Sequence, residues 1–150
     1  MNLNFTQIYN PETDTWTQGA QTPVSIWQAT AGATTGTMAP KRIYVLGGEG
    51  GFADPLDQNY IYDPETDEWT TGTPIPIARI SPAVGVVDDL IYVIGGGVGW
   101  FKTTATVEQY TPVGYIPEFP SWVPLMAVIV SVLLITVIYR RKLQNKEGNN

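Results

Sequence analysis

"RIYVLGG", residues 42–48, returns as "LIYVIGG" at 90–96, a period of 48. Both copies are apolar on every position that matters, as a strand buried on both faces of its sheet must be. Each ends in a glycine pair, Gly47–Gly48 and Gly95–Gly96, where a bulge or a positive φ can end the ladder. Fifteen residues beyond the first glycine of each pair stands a tyrosine, Tyr62 and Tyr110. Seven residues separate Tyr9 from Trp16 and Tyr62 from Trp69, within "YNPETDTW" (9–16) and "YDPETDEW" (62–69). Matched offsets at several places are the mark of an internal structural repeat.

The segments between these marks read as short strands closed by turns. "SPAVGVVDD" (81–89) is a β-branched run that turns at Asp88–Asp89. "QNYIYDP" and "TVEQYTP" are strands stopped by Pro64 and Pro112, because proline cannot donate to the ladder. Four strands in about 50 residues is the spacing of one propeller blade.

The glycine pair, the spaced tyrosine and the tryptophan together resemble the kelch repeat, and "PIPIARISPAVGVVDDLIYVIGG" resembles its opening half closely. The resemblance covers roughly residues 3–116. It implies an all-β fold of kelch-type propeller blades, with the tyrosine and tryptophan packed inside each blade. The expected organisation is a strand pair at 3–19, a blade at 24–71 and a partial blade at 79–116. Tyr110 lacks a tryptophan seven residues on, where Pro117 stands, so the last blade lacks its outer strand. In the first repeat Ile26 or Trp27 takes the place of Arg79, and extra residues fall within "ATTGTMAP". Two to two and a half blades make an incomplete ring, since propellers close with typically 4–8. Either upstream blades belong to the protein or several copies complete a homo-oligomeric ring.

The four carboxylates of "YDPETDEW", Asp63, Glu65, Asp67 and Glu68, raise the question of a cation or proton-transfer site. Asn10 and Thr15 replace Asp63 and Glu68 in the other copy, and the spacing matches no EF-hand loop. These residues are read as a turn, with no metal and no cofactor implied. The chain contains no Cys and no His, which removes disulfides, thiolate nucleophiles, imidazole bases and Cys/His metal sites. A copper oxidase of the kind found in some kelch-like enzymes would need the missing histidines. No glycine-rich segment opens a helix in the manner of a phosphate cradle. The chain is read as non-enzymatic, with a carbohydrate-active enzyme as the alternative and a purely structural envelope protein as a third.

Net charge is −6, with thirteen acids in residues 1–139, a balance that repels phosphate backbones and argues against nucleic-acid binding. In kelch proteins the loops between the second and third strands often bind. Here these are "GGEGGFADPLDQ" (47–58) and "GGGVGWFKTTAT" (95–106). The candidate ligand residues are Phe52, Trp100, Phe101 and Lys102, for a protein or glycan partner, joined by Arg79 near the mouth of the ring.

"WVPLMAVIVSVLLITVIY" (122–139) carries no charge and is followed by "RRK". It is expected to be a single transmembrane helix at 123–139, anchored in lipid by Trp122, Tyr139, Arg140, Arg141 and Lys142, with a Pro-rich stalk at 117–122 and a basic cytoplasmic tail at 140–150. "PEF", the apolar run and the basic end resemble the C-terminal anchor of archaeal surface proteins. The expectation that follows is a single-pass plasma-membrane protein with its N-terminal part at the cell surface, in keeping with "NFT" (4–6) as a glycosylation pattern. The start of the chain has no basic n-region and no apolar h-region, so a piece of a longer protein is the favoured reading.

Overall fold

The computed structural model describes residues 4–50, 54–99, 101–117 and 122–147, and within the last segment the side chains of 126 and 128–141. The chain divides into two compact units, residues 1–116 and 117–150.

The first unit is built of antiparallel strands. β1 (Thr6–Asn10) and β2 (Thr15–Gly19) form a hairpin. β3 (Thr30–Ala33), β4 (Ile43–Leu46), β5 (Asn59–Asp63) and β6 (Glu68–Thr71) form a four-stranded meander in chain order. β7 (Ala83–Val87), β8 (Leu90–Ile94) and β11 (Val107–Tyr110) form a three-stranded sheet in the order β11-β8-β7. The loop between β8 and β11 carries a short ribbon of its own, β9 (Gly97–Gly99) paired with β10 (Lys102–Thr103). This ribbon is not foreshadowed by the sequence reading.

Turn chemistry explains the connections. Asp88 and Asp89 both have positive φ, 51° and 59°, between the paired Val87 and Leu90. That is the two-residue hairpin whose twist matches its strands, and aspartate tolerates the left-handed region better than most residues. The two "PETD" loops are also alike: Asn10 Oδ1 and Asp63 Oδ1 accept from the amides of Glu12 and Glu65 at 2.9 and 2.8 Å. Asp14 and Asp67 close the loops at φ 52° and 56°. Asp63 thus ends β5 and Glu68 begins β6, with Glu65 and Asp67 in the turn between them, and no cluster of metal-ligating side chains occurs among the described residues.

The core lies between the four-stranded and three-stranded sheets. Tyr44, Leu46, Ile91 and Val93 are buried, with Ile75, and Ile61, Val84, Val86 and Tyr110 pack against them. Side chains alternate across a strand, so Tyr44 and Leu46 face the next sheet while Ile43, 37% exposed, points the other way. A Cβ on Gly32 would lie 3.0 Å from Val86 and 3.1 Å from Val84, so the two sheets approach closely at that edge. At the other edge the face is open. A groove of about 550 Å³ runs over Ile61 and Thr70 beside Tyr110 and Val113. It lies where a fourth strand after β11 would cover the neighbouring sheet.

The second unit contains one helix, α1 (Trp122–Glu147). It runs on through the expected cytoplasmic tail, because Arg, Lys, Leu and Gln are good helix formers and no Pro or Gly interrupts them. Among the described residues no helix is long and apolar enough to cross a membrane. This overturns the expected transmembrane span at 123–139 and the placement as a single-pass plasma-membrane protein with an extracellular N-terminal part. Tyr139, Arg140 and Arg141 lie on this helix, and the side chains of Trp122 and Lys142 lie outside the described residues. The resemblance to an archaeal anchor is likewise unsupported.

Candidate functional site

The repeat places its marker residues at equivalent points in consecutive sheets. Tyr62 is paired with Trp69 across β5 and β6, their rings 5.0 Å apart at 39°. Tyr9 and Trp16 repeat this at 5.1 Å and 41°. In both copies the tyrosine hydroxyl donates to the aspartate closing the turn, Tyr62 to Asp67 at 2.7 Å and Tyr9 to Asp14 at 2.8 Å. Asp67 Oδ1 also accepts the Ala20 amide at 2.8 Å, and Trp69 Nε1 donates to the Ala20 carbonyl at 3.0 Å. The segment after β2 is thus clasped to the outer edge of the four-stranded sheet. Burial, with the bond to Asp67, pushes the Tyr62 hydroxyl up to about 12, while the Ala20 amide and Tyr62 hold Asp67 below its ordinary value. These groups are structural.

The glycine pairs set the loops. Gly47 and Gly48 have φ 65° and 115°, and Gly95 and Gly96 have 60° and 99°. A Cβ on Gly48 would lie 2.7 Å from the Trp27 carbonyl. After the first pair, Glu49 bridges both Trp27 and Pro55; after the second, Gly97 bridges Ile80. Trp27 is therefore the counterpart of Ile80, so Ile26 stands where the next repeat has Arg79. Gln28 and Ser81, the following pair, share a positive φ and bond to each other between the sheets.

Arg79 does not reach a ligand. It is fully buried, and NH1 donates to the Gly95 carbonyl at 3.0 Å, NH2 to Thr106 Oγ1 at 3.1 Å and Nε to the Ile77 carbonyl at 3.1 Å. Glu108 Oε2 lies 2.9 Å from NH2, an ion pair by distance. These partners consume the guanidinium, so Arg79 is corrected from candidate ligand residue to a clamp on the two ends of the 95–106 loop. A guanidinium is suited to this because its five donors lie in one plane and stay charged.

The loop so held rises as the β9–β10 ribbon. At its tip Phe101 has φ 55° and is 100% exposed, and Lys102 beside it is exposed. The other two aromatic candidates, Phe52 and Trp100, lie outside the described residues. Sequence reasoning missed the ribbon and Trp27, which is 60% exposed at the same end of the sheets as the glycine pairs. Its position beside Glu49 follows from the repeat register, which was available in the sequence.

Residues 35–76 and 78–125 match the Kelch motif family, and the chain belongs to it. It is 31% identical over 131 residues to Kelch-like protein 23 of Homo sapiens, covering 87% of this chain and 22% of that protein. It is 29% identical over 94 residues to Kelch-like protein 35 of Mus musculus, covering 63% of this chain and 16% of that protein. Alpha-scruin of Limulus polyphemus is 38% identical over 60 residues, 40% of this chain and 6% of that protein. The chain spans about a fifth of the length of the first of these relatives. The kinship supports the non-enzymatic reading.

Proposed function

We propose that this chain is a kelch-repeat binding module that engages a protein partner through the tip of its 95–106 loop. The observation that carries the reading is Phe101. A large aromatic side chain fully in water costs the free protein solubility, and aromatic anchors are what protein interfaces concentrate their energy on. The backbone beneath it is not loose: Arg79 ties Gly95 to Thr106, and the Gly95 amide donates to the Thr106 carbonyl at 3.0 Å. A held loop loses less entropy on binding than a free one. Lys102 adds a charge that favours an acidic partner surface on an otherwise acidic chain.

The test is quantitative capture of the partner by the full chain and by a Phe101→Ala, Lys102→Ala double variant. The double variant is expected to bind at least tenfold more weakly while its circular dichroism is unchanged. Equal binding by the two would place the site elsewhere.

A further inference from the structure

Arg79 belongs to two loops at once. Its side chain holds the base of the 95–106 loop, at the Gly95 carbonyl and the Thr106 hydroxyl. Its main chain holds the base of the 47–58 loop. The Arg79 amide donates to the Leu56 carbonyl at 3.0 Å, and the Arg79 carbonyl accepts from the Gly48 amide at 2.9 Å. The fit on that side is tight: a Cβ on Gly47, whose φ is 65°, would lie 2.6 Å from the Arg79 carbonyl oxygen. Nε donates to the Ile77 carbonyl, which fixes the guanidinium relative to its own main chain. The residue between the loops is fully buried, so none of these bonds can be exchanged cheaply for one to water.

The preceding repeat lacks this joint. Ile26 stands at the position of Arg79, and an aliphatic side chain donates nothing. Gln58, 48 residues before Thr106, keeps a buried Oε1 that has no hydrogen-bond partner among the described residues. We infer that Arg79 is a positioning residue that couples the bases of the two loops, so that loosening one loosens the other. Moving the guanidinium off Gly95 and Thr106 drags on the main chain that Gly48 and Leu56 share, and the reverse holds by linkage. Its functional meaning rests on the reading of Phe101 as the partner's anchor: a partner seated there is sensitive to the state of the neighbouring loop.

Amide hydrogen exchange on the full chain tests this without any partner, so its outcome is separate from that of the Phe101 reading. Thr106→Val removes an acceptor from the guanidinium and leaves the main-chain bonds to Gly48 and Leu56 untouched. Gly47→Ala strains the other side, where alanine resists the positive φ. The amides of β8, the central strand of its sheet, report global opening. Thr106→Val is expected to speed exchange of the Gly48 amide by about threefold or more, and Gly47→Ala to do the same at Gly95, beyond any change in β8. With Arg79→Lys, which keeps the charge but lacks the fork, Thr106→Val is expected to leave Gly48 unchanged. Effects confined to the substituted loop, or shared equally by β8, overturn the inference. A response at Gly48 that persists in the Arg79→Lys background overturns it as well.

Discussion

Asp89 accepts from the amides of Thr35 (2.6 Å), Thr37 (3.1 Å), Met38 (2.7 Å) and Ala39 (3.0 Å) and from the Thr35 hydroxyl (2.9 Å), while its own side chain is buried. Burial by itself would raise its pKa; the amides of Thr35, Ala39 and Met38 outweigh that and hold it well below the carboxylate range. A group whose folded pKa is depressed contributes stability that is complete above its unfolded value, about 4, and fades as pH falls below it. The melting temperature is therefore expected to drop between pH 5 and pH 2, at roughly those bounds, and less steeply in Asp89→Asn. At neutral pH the same substitution is expected to cost about 1–3 kcal/mol, since it turns accepting oxygens into a donor facing amides. Denaturant titration checks the cost. Arg79→Met is expected to cost about 3–5 kcal/mol, leaving Glu108 and the Gly95 carbonyl without their partner in a dry site. At this scale the sequence says little. Asp89 reads as a turn residue, and it is one, but its five donors lie some 50 residues upstream in the inserted "ATTGTMAP" loop. Arg79 could be read either as ligand-facing or as structural, and only its burial decides.

Elements were far more legible than single contacts. The strands over 42–48 and 90–96 are set by unbroken apolar runs, and their ends by glycine pairs whose positive φ other residues resist. The glycines can be ranked on this basis. Gly48→Ala is expected to destabilise by about 2 kcal/mol or more, because its φ of 115° is strained for alanine and its Cβ would meet the Trp27 carbonyl at 2.7 Å. Gly85→Ala, in β7 with nothing within 4 Å of its Cβ, is expected to stabilise by about 0.5 kcal/mol. Thermal melts of the two should move in opposite directions. The β9–β10 ribbon escaped notice because "GGGVGWFK" has no period-two alternation; its two strands are three and two residues long and meet at a register shift. The C-terminal helix was legible from composition, and its capacity to cross a membrane was not borne out by the described residues.

At the level of the whole first unit, the account rests on repetition with one side missing. The kelch pattern predicts where sheets face each other, and Gly32, Tyr44 and Tyr110 meet there as the register requires, the two tyrosine rings 5.7 Å apart. The missing tryptophan after Tyr110 explains the groove over Ile61 and Thr70. Partner choice is a property of this scale, because a loop tip is useful only if the stack beneath it is fixed. The most direct test puts a photo-crosslinking residue at position 101 of the full chain, with position 113, exposed at 84% and outside the loop, as control. A discrete protein adduct is predicted at 101 and not at 113, reduced by excess wild-type chain but not by the Phe101→Ala, Lys102→Ala variant. The same adducts at both positions, or equal competition by the two chains, would contradict binding through the 95–106 loop.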